Sequence, residues 1–215
     1  MKNSTRFYRH YKNKPYKLLG IARHSETLEE LALYETLYQN DSGKIWVRPK
    51  GMFFEDIEIN GTVRPRFEKI EFDFRSSDSV PEEDIAAVYF AAFAAPLDLE
   101  KFRSKFKAHS RILCLTAFDG EKLIGFKIGY AQDDAVFYSC LGAVLPEFQG
   151  LGVAGELMSR QHEWCRANGF KRVETRTRNK FIEMIRLNLK FGFKIIGTQA
   201  GQNNGIKIIL EKELI

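Results

Sequence analysis

The chain has 215 residues, of which 44% are hydrophobic and 28% charged, which is ordinary usage for a soluble globular protein. No apolar run approaches the ~18 residues of a membrane span, and no apolar segment follows the basic N-terminal residues, so we expect neither a membrane segment nor a secretory signal. Three widely spaced cysteines (Cys114, Cys140 and Cys165) do not make a disulfide framework or a metal cluster, and a reducing cytoplasm is the expected compartment.

The formal net charge of +5 is concentrated at the front of the chain. Residues 1–70 hold 13 basic and 9 acidic residues, whereas residues 71–215 hold 20 and 19. An excess of this size is compatible with an acidic partner such as a nucleotide, and equally with an ordinary solvated surface.

Residues 1–70 are predicted to form a small all-β domain of about five strands, with a barrel as one arrangement. Asn60-Gly61 is a strong hairpin signal because both positions accept positive φ. The strands are predicted at 16–22, 31–38, 44–48, 52–59 and 63–70.

The same segment resembles a small bacterial domain of unknown function through the stretches 8–12, 19–27, 45–49, 52–53 and 65–67. That resemblance implies no activity. Aromatic residues alternate here with Arg and Lys, a pattern typical of surfaces that bind single-stranded RNA, although aromatics at strand spacing are also typical of a core. The aromatic residues concerned are Phe7, Tyr8, Tyr11, Tyr16 and Trp46.

From residue 71 onward, strands and helices alternate in the order β-α-α-β-β-β-α-β-α-β-β, which predicts an α+β domain over residues 71–215. Ser79 followed by Glu82 predicts a capped helix through residue 95, and Asp98 is predicted to cap a second helix through residue 109. The remaining elements are predicted as strands at 112–118, 122–130 and 135–144, a helix at 153–168, a strand at 172–177, a helix at 181–191, and a hairpin at 194–198 and 205–211.

The most informative stretch is the turn between the strand that ends at Val144 and the helix that follows it. Gly150, Gly152 and Ala154 keep this turn free of bulky side chains, so its N–H groups can converge on an anion at the positive end of the helix dipole. The pattern is neither a dinucleotide fingerprint nor a Walker loop. A tight turn that binds nothing is the alternative.

Gln149-x-x-Gly152-x-Ala154, together with the later block 179–193, resembles the two conserved motifs of the GNAT superfamily N-acetyltransferases. The resemblance covers residues 71–215. It implies a GNAT-like mixed, mostly antiparallel sheet flanked by helices, and transfer of an acetyl group from acetyl-CoA to a primary amine by direct attack, without a metal. The acceptor would be a small-molecule or peptide amine, shaped by residues 91–109 and 200–205.

The resemblance also implies roles for individual residues. The strand before the turn would pair with the pantetheine arm, the turn amides would bind the pyrophosphate, and Gly142 would mark the bulge that separates the strands. The cofactor-binding residues implied are Leu141, Ala143, Val144, Gln149, Gly150, Leu151, Gly152, Val153, Ala154, Asn179 and Asn188.

Two positions depart from the family pattern. Asn188 stands where many members carry a Tyr general acid, and Tyr138 stands where histone-acetylating members carry a Glu base. Tyr138 is a poor base at pH 7, and Glu174 is the other candidate for deprotonating the amine. Because both expected proton-transfer residues are missing, a non-catalytic acyl-CoA sensor is an alternative function, and an RNA-binding protein is another.

Overall fold

The computed structural model describes residues 6–200 and 205–214, which fall into two units that divide after Glu71. Most of the segment 200–205, expected to shape the acceptor site, lies outside the described residues. No helix in the described ranges is long and apolar enough to cross a bilayer.

The first unit is all-β apart from a one-turn helix, as the sequence predicts. Strands β4-β3-β2-β1-β7 form an antiparallel sheet with two free edges, and β5-β6 form a separate hairpin, so the barrel arrangement is wrong. The elements are β1 (Phe7–His10), β2 (Pro15–Arg23), β3 (Glu30–Thr36), β4 (Ile45–Pro49), α1 (Lys50–Phe54), β5 (Asp56–Ile59), β6 (Thr62–Pro65) and β7 (Phe67–Lys69).

The predicted strand 52–59 is wrong in its first half, which forms α1. Phe53 on this helix is fully buried and stacks on Phe67, with ring centroids 4.1 Å apart. Burying that ring outweighs the strand propensity of the local aromatic run. The hairpin at Asn60-Gly61 is confirmed, since both residues have positive φ.

The second unit has the α+β architecture that the sequence predicts. Its seven strands form one sheet in the order β13-β14-β12-β11-β10-β9-β8, and β11–β12 is the parallel pair among the described strands. The elements are β8 (Asp73–Ser77), α2 (Glu82–Phe93), α3 (Leu99–Lys107), β9 (Ile112–Asp119), β10 (Lys122–Ala131), β11 (Val136–Val144), α4 (Val153–Ala167), β12 (Arg172–Arg178), α5 (Ile182–Lys190), β13 (Lys194–Ala200) and β14 (Ile206–Glu213).

One of the two predicted helix caps is present. The Asp98 carboxylate accepts a hydrogen bond from the Lys101 amide (3.0 Å) and caps α3. The capping box of Ser79 and Glu82 is wrong, because α2 begins only after Pro81 and has no side-chain cap. Val80 precedes that proline, which disfavours the helical region for it and delays the first turn.

Helix α4 packs on β9, β10 and β11 and connects directly to the turn that carries the candidate site. Its buried face includes Leu157, Met158 and Cys165. Gly169 follows the helix with a φ of +83°, as expected of a residue that ends it.

Candidate functional site

Strands β11 and β12 pair along only part of their length. We call the point where they separate the fork. They pair in parallel only from Val136 to Ser139, opposite Arg172 to Thr175. Thr175 Oγ1 donates to the Ser139 carbonyl oxygen (2.9 Å) at the last residue pair of this ladder. Beyond the fork, β11 pairs with β10 and β12 pairs with β14, so the edge of residues 140–144 that faces away from β10 borders a gap and has no strand partner among the described residues.

The β-bulge lies at the fork, on Cys140. Ile128 pairs with Leu141 and Gly129 pairs with Ser139, which leaves Cys140 as the extra residue. The expectation that Gly142 marks the bulge is therefore wrong. The glycine that the bulge requires is on the neighbouring strand, because a Cβ at Gly129 would lie 2.6 Å from the Tyr138 carbonyl oxygen and against the Phe137 ring.

The edge of β11 without a strand partner belongs mainly to Gly142 and to the amide of Val144, whose carbonyl oxygen accepts from the Gln149 side chain. Leu145 donates its amide to Ile124 on β10 (2.9 Å), and backbone groups alternate in direction along a strand. The groups of Gly142 and Val144 therefore face the gap, while those of Leu141 and Ala143 face β10. The sequence assigns the whole stretch from Leu141 to Leu145 to this role and does not show which of its groups face the gap, because the register between strands is not visible in the sequence.

The turn after β11 is built to expose amides. A 3-10 turn at Pro146–Phe148 leads into Gly150 and Gly152, whose φ angles are +79° and +81°. The Gln149 side chain donates to the Val144 carbonyl oxygen (3.1 Å) and holds the turn against the strand end. Gly152 is the N-cap of α4 and has no side chain to occupy the first-turn donors.

The amides of this turn divide into two groups. Those of Gln149 and Leu151 donate within the turn, to Pro146 (3.2 Å) and Phe148 (3.4 Å). The others have no hydrogen-bond partner anywhere in residues 6–200 and 205–214. They belong to Gly150, Gly152, Val153, Ala154 and Gly155. Five free amides at the positive end of a 15-residue helix make a suitable cradle for a diphosphate.

Glu174 faces the fork from β12, where it is the pairing partner of Tyr138. Its side chain is 13% exposed, and its Oε1 atom accepts from Arg176 Nε (2.9 Å) and lies 2.9 Å from Nη2. Arg176 Nη1 also donates to Gln199 (3.2 Å). The carboxylate is thus held in place through one oxygen, which leaves Oε2 for a proton or a water.

Tyr138 is half-buried beside the fork, with its ring centroid 5.4 Å from that of Tyr130. Burial and the neighbouring Cys140 thiol raise the pKa of the Tyr138 phenol, although Lys105 and Arg176 act in the opposite direction. A phenol with a raised pKa stays protonated at pH 7. Tyr138 is therefore better suited to donate a proton or a hydrogen bond than to act as a base.

The two candidate asparagines have different environments. Asn179 is exposed in the turn that follows the end of β12 and precedes α5. Asn188 is buried on α5, where its amide donates to the Met184 carbonyl oxygen (2.9 Å). One of its two N–H groups is therefore committed within the helix, a bond that sequence reasoning had no signal to find.

The aromatic pattern of the first unit is mainly internal. Tyr8 and Tyr16 pack on the buried cluster that contains Tyr34 and Phe67. Trp46, on the edge strand β4, donates its indole N–H to the Gly43 carbonyl oxygen (3.0 Å). RNA binding through these residues remains a prediction. In the described ranges, no group of three or more His, Cys, Asp or Glu side chains is arranged to hold a metal.

Comparison with protein-family models gives two adjacent matches. Residues 6–69 match a model described as a protein of unknown function (DUF1653), and residues 78–193 match the model of the acetyltransferase (GNAT) family. Comparison with curated proteins gave no match.

Comparison with solved structures finds acetyltransferases. The ribosomal-protein-S18-alanine N-acetyltransferase of Escherichia coli matches with 19% identity and a TM-score of 0.56, over 66% of this chain and 94% of that one. An IAA acetyltransferase of Bacillus cereus matches with 18% identity and a TM-score of 0.55, over 66% of this chain and 99% of that one. A GNAT family acetyltransferase of Elizabethkingia anophelis, solved with acetyl-CoA bound, matches with 16% identity and a TM-score of 0.51. The match covers 66% of this chain and 97% of that one. At these identities the likeness establishes the fold.

Proposed function

The chain belongs to the GNAT acetyltransferase family, and from that premise we propose that it transfers an acetyl group from acetyl-CoA to a primary amine by direct attack of the amine. The observation that carries the proposal is the continuity of two features. The unpaired edge of β11 leads from the fork directly to the five free amides at the start of α4.

The chain fits the two chemically distinct parts of such a co-substrate. Amides and the helix dipole suit a diphosphate, and an unpaired strand edge suits the amide-bearing pantetheine arm, which can add to it like another strand. Acetyl-CoA would supply an activated thioester. Gly142 and Val144 would orient the arm, and the amides at Gly150 and from Gly152 to Gly155 would hold the phosphates.

For proton transfer we propose Glu174 as the acceptor of the proton from the attacking amine, directly or through a water at Oε2. The Arg176 contacts immobilise the carboxylate next to the fork. Tyr138 would act as a hydrogen-bond donor from the adjacent strand. Positioning of the amine and electrostatic stabilisation of developing charge would provide most of the acceleration.

The test is release of free CoA thiol from acetyl-CoA in the presence of a panel of amines, with mass spectrometry of the products. We expect thiol release that depends on the amine and an acetylated amine of matching mass. Amine-independent hydrolysis alone would contradict the proposal.

A second candidate is a non-catalytic acyl-CoA sensor. It is favoured by Asn188, whose amide is partly committed to Met184 where many family members carry a Tyr acid. Tight binding of acetyl-CoA without thiol release from any amine would support the sensor. We propose a reducing cytoplasm as the compartment, since Cys114, Cys140 and Cys165 are all free thiols.

A further inference from the structure

A group of polar side chains lies on the sheet at the fork, and Lys105 brings the unbalanced positive charge to it. Lys105 comes from α3, and its Nζ lies 5.4 Å from the Tyr138 ring centroid and 5.7 Å from that of Tyr130. Arg176 also lies near the Tyr138 ring, with its Cζ 5.6 Å from the ring centroid. The fork cluster is defined as Lys105, Tyr130, Tyr138, Cys140, Glu174 and Arg176.

The two cations of the fork cluster are in different electrostatic situations. Arg176 is neutralised by Glu174, at 2.9 Å. Lys105 is half-buried and has no carboxylate partner within the described ranges, where its polar neighbours are phenols and the Cys140 thiol. A partly buried ammonium without a counter-ion is costly, so this position is suited to an anion supplied from outside.

The neighbours of Lys105 do not supply that anion at pH 7. Burial, before other causes, raises the pKa of Tyr130, of Tyr138 and of the Cys140 thiol. Burial acts to lower the pKa of Lys105, but Cys140 and the two phenols outweigh it, and that pKa lies above its usual value. The fork cluster therefore carries one net positive charge surrounded by O–H and S–H donors.

We propose that Lys105 binds a carboxylate of the acceptor, so that the substrate class is a primary amine that also carries a carboxylate, such as an amino acid. The inference rests on the proposed function for the identity of the reaction. Lys105 lies beside Cys140, the bulged residue at the fork, and an acceptor held there by its carboxylate would present a nearby amine to the same point. Lys105 acts as a specificity-determining residue.

The first test does not depend on acetyl transfer. Iodoacetate and iodoacetamide alkylate the same thiol but differ in charge, and Cys140 is half-buried, whereas Cys114 and Cys165 are buried. The rate of Cys140 modification by each reagent is measured by mass spectrometry on the intact protein. Because both reagents attack the same thiolate, the ratio of the two rates cancels any change in the pKa of Cys140.

We expect Lys105→Met to lower the ratio of iodoacetate to iodoacetamide rates about tenfold, as the loss of one charge-assisted contact. Lys105→Arg keeps the charge and should keep the ratio. Lys107→Met removes an equal charge from an exposed position of the same helix and should also leave the ratio unchanged. An unchanged ratio in Lys105→Met, or failure of Cys140 to react with either reagent, would overturn the proposal.

The second test uses acceptors in matched pairs, an amino acid and its decarboxylated amine (leucine and isoamylamine, for example), followed by CoA thiol release. We expect the carboxylate-bearing member to have a kcat/KM about tenfold higher, and Lys105→Met to abolish that preference, with most of the loss falling on the carboxylate-bearing member. A preference for the decarboxylated member would overturn the inference. If no amine releases thiol but the alkylation ratio depends on Lys105, the proposed function fails and the carboxylate site stands.

Discussion

At the scale of single residues, the site depends on one glycine that is not in any motif. Gly129 lies opposite the Cys140 bulge, where a Cβ would meet the Tyr138 carbonyl oxygen at 2.6 Å. We expect Gly129→Ala to lower the free energy of unfolding by about 1–3 kcal/mol, as overpacking does. Gly197→Ala, in a strand position with no atom within 4 Å of the added methyl, is the matched control. Urea unfolding measures both, and equal effects would show that the bulge tolerates the methyl group.

The proposed proton acceptor gives a second residue-scale prediction. Glu174→Gln keeps the shape of the side chain but removes its basicity, and we expect kcat to fall about a hundredfold near neutral pH, with less loss at higher pH, where more of the amine is already deprotonated. Cofactor affinity should not change. Glu211→Gln, on the strand that pairs with β12 beside Glu174, is the control. A Glu174→Gln enzyme with the wild-type pH profile would rule out this role.

At the residue scale, the sequence carries information about backbone conformation but little about side-chain partners. The positive φ of Gly150 and Gly152 follows from their place in a tight turn. The ion pair of Glu174 with Arg176 and the bond from Asn188 to Met184 depend on rotamers and neighbouring strands. Local sequence spacing does not determine those contacts.

At the scale of elements, the two predicted helix N-caps, Ser79 and Asp98, can be compared directly. Asp98 caps α3 through the Lys101 amide, whereas Ser79 lies before Pro81 and caps nothing. We expect Asp98→Ala to cost about 1 kcal/mol of stability and Ser79→Ala close to none. Thermal and urea unfolding of the two variants provide the measurement. A cost for Ser79→Ala equal to that for Asp98→Ala would restore the capping box that the structure removes.

The elements of the second unit were predictable because each carries a local signal, such as the Asp119-Gly120 turn between β9 and β10. Two features of the elements were not predictable from the sequence. The place where β11 separates from β12 depends on the register between the two strands. Helix α1 forms because Phe53 packs in a core whose other members, including Tyr34 and Phe67, lie elsewhere in the sequence. Both are products of tertiary packing.

At the scale of the whole molecule, a buried histidine makes stability depend on pH. His162 on α4 is 2% exposed, its Nδ1 lies 3.2 Å from Lys212 Nζ, and its Nε2 is buried without a partner among the described residues. Because Lys212 Nζ can only donate, His162 is neutral with its proton on Nε2. Burial, followed by Lys212, Lys127 and Arg166, lowers the pKa of His162 to about 3.

The direction of the pH dependence follows from the difference in proton binding between the folded and the unfolded chain. Above pH 6.5 the histidine is neutral in both the folded and the unfolded chain and contributes no pH dependence. Below 6.5 the unfolded chain binds a proton that the folded one excludes, so stability falls as the pH drops toward 3, by about 1.4 kcal/mol per pH unit at most. We expect His162→Phe to remove this component, measured as a smaller difference between urea midpoints at pH 7 and pH 5. A difference equal to that of the wild type would contradict the assignment.

If the free amides at the start of α4 bind the diphosphate of acetyl-CoA, titration calorimetry will measure that binding and its loss. Wild type should bind acetyl-CoA, and Gly152→Glu should lose at least about a hundredfold in affinity, because the variant places a carboxylate beside the phosphates. Ala167→Glu adds the same charge at the exposed far end of α4 and should bind as wild type does. Equal affinity of Gly152→Glu and wild type would show that these amides do not hold the diphosphate.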